Sequence, residues 1–330
     1  MKRAIGFPTA AEVDRWLPCS GESEKSLSCP LCGSLRLTLK FTARDTLHNF
    51  PGEWGVTECV DCGLMHTSPR PTREAMTSYY PNEYRPHIEN FAQAEKRDRG
   101  LGRRLRKLLD PKEVVVPDPG RPRRVLEVGC GSGRVLVELA DRGWSVHGLE
   151  PSAAAVTTLK AHRDLPVTVG TIEQAEFPSG SFDLIIANMV LEHLHDPAAD
   201  VTRLRTWLRP GGHLTGSVPN CASWEFRFFK GEWFALQLPT HLSHFTPKTL
   251  TLLLEMTGFH SIRIHQQRNV SNLMVQLGRF LKRHGLPFAT TCLEYPERGS
   301  RSLRLALRPA ASVLAWCGHA GRISFQAQRP

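Results

Sequence analysis

Residues 124–133 read RVLEVGCGSG, and residues 134–150 continue RVLVELADRGWSVHGLE. The opening run, RVLEVG (124–129), is a compact apolar segment closing on glycine, as a buried strand does before a turn. RVLVELADRG (134–143) carries apolar residues at helical spacing and stops at Gly143, and SVHGLE (145–150) is a second strand. Strand, glycine turn, helix and strand form the opening unit of a doubly wound sheet, which binds ligands beyond the carboxyl ends of its strands. Gly129, Gly131 and Gly133 are spaced G-x-G-x-G, unlike the G-x-G-x-x-G that cradles a dinucleotide pyrophosphate. Glycine lets backbone approach a ligand closely, and the helix behind it offers unpaired N–H groups. Glu150 ends the second strand, where a carboxylate can accept both hydroxyls of a ribose. Together these predict a nucleoside ligand without a pyrophosphate. Taken alone, the glycines would equally serve an ordinary strand-to-helix turn, and NAD binding is the competing ligand reading.

The alternation continues downstream. SAAAVTTLKAHR reads as a helix opened by Ser152, PVTVGT as a third strand, FDLIIANM (182–189) as a fourth, and PAADVTRLRTWL as a helix ending at PGG. HLTGSVPN gives a fifth strand, TPKTLTLLLEMTGF a helix stopped by Gly258, and HSIRIHQQ (260–267) a sixth strand. The fold class expected is α/β, a parallel Rossmann-like sheet with helices on both faces. Residues 271–318 read as more helical, and GRISFQAQRP as a terminal strand pairing at the sheet edge.

The 330 residues favour two domains or one with an appendage, at ~100–200 residues per domain. With 41% hydrophobic and 22% charged residues the chain can bury a core. Expected segments are a lead-in at 1–25, a small module at 26–70, a tyrosine-rich and basic connection at 71–123, the α/β domain at 124–270 and an extension at 271–330. The longest uncharged apolar candidate, Pro309 to Gly321, has 13 residues, short of a membrane span and read as a buried helix. Glu12, Asp14 and Arg15 interrupt any secretory signal, so the cytoplasm is the expected compartment.

Taken together, VLEVGCGSG, the strand-terminal Glu150, GSFDLIIANMVLEHLHDP and LRPGGHLTGSVPN resemble a class I S-adenosylmethionine-dependent methyltransferase. The start of the chain resembles the branch that carries an N-terminal CPxCG…CxxCG metal module, then P-R-P and a tyrosine-rich segment. That branch methylates sugars, quinone precursors and polyketide-type products. The resemblance implies S-adenosyl-L-methionine as cofactor, with Gly129, Gly131 and Gly133 against its methionine part, Glu127 orienting the ammonium and Glu150 taking the ribose. It puts Thr171, Ile172 and Glu173 at the adenine. Many members have Asp where Thr171 stands, which leaves Glu173 or a backbone carbonyl for the adenine amino group. Asn188 and Met189 would face the transferred methyl and the acceptor.

Methyl transfer needs positioning, and a base only where the acceptor must lose a proton. His193, in LEHLHDP, and His241 are the catalytic candidates; each is alternatively a buried imidazole bonded to a loop carbonyl. The aromatic segment Trp224 to Phe245 reads as a lid inserted after the fifth strand. Trp233, His241 and His244 match the resembling family's Trp, then Pro-x-His-Leu, pattern there, with His244 read as structural. Tyr79, Tyr80, Met189 and Trp233 are the tentative acceptor contacts, with Tyr84 beside them; packing is the competing reading for Tyr79, Tyr80 and Trp233. The acceptor expected is a small metabolite or glycan precursor methylated on oxygen, with C-methylation of a nucleotide-linked sugar as the alternative.

Cys29, Cys32, Cys59 and Cys62 form two Cys-x-x-Cys knuckles with 26 residues between them, a four-thiolate pattern for structural zinc in a zinc-ribbon-like module. A redox pair is the competing reading. His48 and His66 are not expected as ligands, and Cys19, Cys130, Cys221, Cys292 and Cys317 remain as free thiols. The net charge of +10 is concentrated around Lys96, Arg97, Arg99, Arg103, Arg104, Arg106 and Lys107, followed by Arg121, Arg123 and Arg124. A solvated helix face explains such a run, an anionic acceptor would suit it, and a nucleic-acid partner is the reading from another class.

Overall fold

A computed structural model describes residues 23–48, 50, 52–80, 123–294 and 301–330, with side chains of 301–305 left aside. The lead-in to residue 22, Tyr84, the basic run 96–107 and the proline-rich stretch 110–122 lie outside the described residues.

The N-terminal part supplies β1 (Ser23–Glu24), β2 (Leu37–Ala43), β3 (Trp54–Cys59), β4 (Met65–Thr67) and β5 (Arg70–Pro71). From residue 124 come β6 (Arg124–Val128), α1 (Arg134–Ala140), β7 (Ser145–Glu150), α2 (Ala153–His162), β8 (Val167–Val169) and β9 (Phe182–Asn188). There follow α3 (Pro197–Trp207), β10 (Leu208–Pro219), α4 (Trp224–Phe229), β11 (Ser243–His244), α5 (Pro247–Met256) and β12 (His260–Gln266). The chain closes with α6 (Val270–Arg283), α7 (Ala289–Leu293), α8 (Arg301–Trp316) and β13 (Arg322–Gln328).

Seven strands make the central sheet in the order β12-β13-β10-β9-β6-β7-β8, with β10, β9, β6, β7 and β8 parallel and β13 antiparallel to both its neighbours. This is an α/β fold, a mixed sheet flanked by helices. The central strands bury both faces, as Val125, Leu126, Ile185 and Ile186 at 0% exposure illustrate, which is why they read as continuous apolar runs. The helix starts follow local chemistry: Ser152 Oγ accepts from Ala155 N, Asp196 Oδ1 accepts from Ala199 N ahead of Pro197, and Thr246 and Thr249 form a reciprocal cap.

Three expectations need correction. The terminal strand is not at the edge: β13 inserts between β10 and β12, because Ile323, Phe325 and Ala327 alternate as one wholly buried face. The edge belongs to β12, whose alternate exposed residues include Arg263 and His265, a charged face that discourages further pairing. PGG does not separate helix from strand; the helix stops at Trp207, and Leu208–Pro219 is one strand with a register shift between Leu208 and His213, where Gly211 takes φ 73°. The segment after Pro309 is half-covered and not buried. Ala311 packs against Met274 and Cys292, while Val313 and Trp316 are exposed. No helix among the described residues is long and apolar enough to cross a membrane.

The N-terminal strands do not stand apart. β2, β3 and β4 form an antiparallel meander, and β11 from the Trp224–Phe245 insertion pairs with β4 as its fourth strand, His66 opposite Ser243. Cys29, Leu31, Cys59, Cys62 and Leu64 share one apolar cluster with Leu126, Val128 and Phe245. The module is thus packed into the core of the α/β domain.

Gly216 is the tightest backbone contact in the sheet, since a Cβ there would lie 2.0 Å from the Ala187 carbonyl oxygen on β9. Gly216→Ala is therefore expected to open the β9–β10 ladder and cost about 3 kcal/mol or more. Urea unfolding checks this; an unchanged midpoint would contradict it.

Candidate active site

The glycine turn follows β6 with all three glycines in the left-handed region: Gly129 at φ 64°, Gly131 at 52° and Gly133 at 81°. Space forbids side chains as well. A Cβ on Gly129 would meet Val190 at 2.9 Å, and one on Gly133 would meet Leu159 at 2.5 Å. Glu150, at the end of β7, accepts from Gly131 N at 2.8 Å and from Ser152 N at 2.9 Å. Its carboxylate thus ties the glycine turn to the start of α2, and each oxygen keeps lone-pair capacity beyond these bonds.

Glu127 sits on β6, 5% exposed, with Oε2 lacking any hydrogen-bond partner. Burial pushes its carboxyl up to about 8, with the charge of Glu150 adding to the effect and Arg134 opposing it. A buried acceptor without a donor calls for a bound group. A ligand with an ammonium and a ribose fits this pair of carboxylates, so the residues present suit S-adenosylmethionine.

Downstream of β8, Thr171 N donates to Gln174 Oε1 and Ile172 is buried in the main cluster. Glu173 is engaged by the Arg73 guanidinium, and hydrogen bonds from Thr171 and its own backbone help hold its carboxyl low. Sequence reasoning did not foresee Arg73, which belongs to the N-terminal part. At the end of β9, Asn188 Oδ1 accepts from Ser217 Oγ at 3.3 Å, and Met189 takes φ 54°, an uncommon conformation for a side-chain-bearing residue. Its N–H donates to Ser217 O, which holds this turn in place.

The structure brings His193 and His241 together, ring centroids 4.6 Å apart and edge to face. His193 belongs to the 3-10 turn Leu191–His193, directly beyond β9. Its Nδ1 lies 2.9 Å from Thr240 O and 2.9 Å from the Tyr80 hydroxyl. His241 Nδ1 lies 2.9 Å from Ala235 O. A carbonyl only accepts, so both rings carry their proton on Nδ1 and keep a bare lone pair on Nε2. Burial drives His193 down to about 4 and His241 well below the ordinary histidine value.

The strand pair β4–β11 holds this arrangement. Thr67 Oγ1 donates to His241 O at 2.7 Å, Thr67 N donates to Leu242 O, and Leu242 N donates to Glu192 O. His244 Nε2 meets Thr67 Oγ1 at 3.0 Å, one more contact between β11 and β4. Glu192, noted in the sequence as half of a Glu-His pair but given no role of its own, is 1% exposed, with neither carboxylate oxygen in a well-formed hydrogen bond. Its adjacency to His193 in LEH was the available signal.

Of the four tentative acceptor contacts, Tyr80 and Met189 lie by the histidines or the turn before them. Tyr79 and Trp233 do not. Tyr79 packs edge-on against Phe50 and Trp54, and Trp233 is fully buried with its indole N–H on Glu225. Both face the cluster that joins the N-terminal sheet to the insertion, where apolar area outweighs ligand access.

The four cysteines converge. Their sulfurs all lie within 4.8 Å of one another, with Cys29–Cys62 at 3.5 Å and Cys32–Cys59 at 3.6 Å. Tetrahedral bonds of about 2.3 Å require sulfur separations of about 3.8 Å, so the donor set fits zinc. Leu31 N and Leu64 N donate to Cys29 and Cys62 sulfurs, and Gly33 and Gly63 take positive φ where each knuckle turns. His66 is buried away from any hydrogen-bond partner and is not part of the cluster.

Comparison with known proteins adds the following. The family described as "Methyltransferase domain" matches residues 94–264, just over half of the chain and wholly beyond the four cysteines. The ubiquinone biosynthesis O-methyltransferase of Acinetobacter baumannii (strain AYE) is 29% identical over 163 residues, covering 42% of this chain and 67% of that protein. A probable S-adenosylmethionine-dependent methyltransferase of Mycolicibacterium smegmatis is 34% identical over 138 residues, covering 42% of this chain and 52% of its own length. A crystal structure of a SAM-dependent methyltransferase from Archaeoglobus fulgidus superposes with TM-score 0.45 at 17% identity, over 73% of this chain and 100% of that one.

Proposed function

Because the chain belongs to the methyltransferase-domain family and is an S-adenosylmethionine-dependent methyltransferase, we propose that it methylates an oxygen of a small metabolite or glycan precursor. The observation that carries the acceptor side is the His193–His241 pair, two rings with bare Nε2 atoms just beyond β9. The similarity to an O-methyltransferase supports oxygen as the accepting atom.

In this reading the bound cofactor supplies a methyl already activated on a sulfonium. The chain's own residues position and discriminate. Glu150 receives the ribose hydroxyls while keeping the glycine turn closed. Glu127 receives the ammonium, the Thr171–Glu173 turn lines the adenine, and Asn188 and Met189 stand beside the methyl. His193 and His241 line the place where the acceptor hydroxyl gives up its proton, and Tyr80 flanks them. Cys29, Cys32, Cys59 and Cys62 hold a structural zinc.

The test is methyl transfer from labelled donor to phenols, quinone precursors and activated sugars, with S-adenosylhomocysteine as product. Tight cofactor binding with no transfer to any of these classes would remove the small-molecule reading.

Glu127 gives a pH prediction. In the free protein its carboxyl is neutral below about 8, whereas an ammonium partner favours the charged form. Cofactor binding therefore releases a proton, and affinity rises with pH between about 6 and 8, by up to about tenfold per unit, then falls as the ligand's own ammonium deprotonates above about 8. Calorimetry in buffers of different ionisation enthalpy measures the proton directly. Glu127→Gln is expected to abolish both the release and the slope; a slope that survives the substitution assigns it elsewhere.

A further inference from the structure

We infer that Glu192, His193 and His241 form a binding site for one divalent cation, separate from the four-cysteine cluster, and that the cation receives the acceptor's oxygen. The inference rests on the methyltransferase reading for its role but not for its existence.

Three observations carry it. One donor atom from each residue lies within 4.8 Å of the others, close enough for a single ion to reach all three with modest adjustment. Each imidazole is held from behind, its Nδ1–H given to a backbone carbonyl at 2.9 Å, Thr240 O for His193 and Ala235 O for His241. Metal-binding histidines are oriented in this way, with the second nitrogen left bare. Glu192, finally, is buried with neither carboxylate oxygen in a well-formed hydrogen bond to another residue; only its own backbone N–H and the Arg322 charge favour its ionised form. A buried carboxylate so poorly supplied with donors is costly, and a cation answers that cost.

The backbone holds the three residues in register. Glu192 and His193 are adjacent on one 3-10 turn, and Leu242 N, next to His241, donates to Glu192 O. Two imidazoles and one carboxylate leave coordination positions open, a set suited to manganese, iron, cobalt or zinc. Glu192 and His241 are buried while His193, Met189 and Tyr80 are half-buried, so the open side faces the end of β9.

The chemical consequence is direct. A hydroxyl drawn to the cation loses its proton to water more readily. Its oxygen lone pair then forms the new bond to the methyl carbon as the carbon–sulfur bond breaks, with no oxidant or reductant consumed. Acceptors with two adjacent oxygens would use two open positions and so be preferred over isolated hydroxyls.

Manganese is the probe of choice, because it favours nitrogen and oxygen donors over the four thiolates. With the full-length, zinc-loaded protein, loss of the free-ion electron paramagnetic resonance signal should report one bound manganese. Glu192→Gln and His241→Asn should each weaken that binding at least tenfold while retaining the zinc. Manganese should also raise the unfolding temperature of the parent protein but not of Glu192→Gln, a readout that tolerates a change in baseline stability. No manganese, cobalt or second zinc bound at millimolar concentration, or equal binding by both folded variants, overturns the site. Cofactor binding and methyl transfer that persist after the cation site fails would leave the methyltransferase reading intact.

Discussion

His241→Ala and His193→Ala are each expected to lower methyl transfer by roughly 10²–10⁴-fold, while the dissociation constant for S-adenosylmethionine should stay within about threefold of the parent value. The separation follows from where the groups sit. The cofactor cradle proposed above is built on β6 and β7, from Glu127, the glycine turn and Glu150. The histidines stand beyond β9, held by Thr240, Ala235 and Thr67. His241 is fully buried, so its truncation also leaves a cavity, and thermal unfolding is needed beside turnover. His193 is half-buried and is the cleaner substitution. Normal turnover in both variants would remove the pair from the chemistry.

If the four cysteines hold the zinc proposed above, stripping it is expected to abolish turnover before it abolishes cofactor binding. The cysteines close the β3–β4 connection, and β4 in turn carries β11. Losing the ion frees β4, and with it the Thr67 contacts that hold His241 and Leu242. Structural zinc contributes on the order of 10 kcal/mol to small modules, more than this sheet of short strands can replace. Activity should fall in step with zinc released to a chelator and be lost in Cys59→Ser, with calorimetric binding of S-adenosylmethionine surviving longer. Active protein carrying less than about half an equivalent of zinc would overturn this.

The glycine turn, the strand-terminal Glu150 and the helix starts were legible from sequence because local rules suffice there. The glycines need positive φ, Glu150 must end its strand, and Ser152 and Asp196 cap their helices with their own side chains. Contacts made across long stretches of chain were not legible. β11 is two residues long and shows no period, yet its pairing with β4 joins the insertion to the N-terminal module. β13 shows a clean alternation, but alternation reports a buried face and says nothing about which neighbours flank it. Aromatic identity likewise could not separate Tyr80, beside His193, from Tyr79, one residue earlier and packed on Trp54. The Glu192–His193 pair was visible in the sequence, but the burial of the Glu192 carboxylate and its lack of a donor from another residue are revealed only by a packed structure.

The insertion of β13 between β10 and β12 bears on synthesis. As the chain leaves the ribosome, β10 and β12 emerge long before the strand that belongs between them, which pairs Phe325 with Gly216. Until then each presents an unpaired ladder, open to a neighbouring nascent chain. Assembly of this side of the sheet therefore waits on a strand made well after both of its neighbours, and slow elongation over that interval should raise the aggregated fraction more than a comparable delay at the N-terminal module.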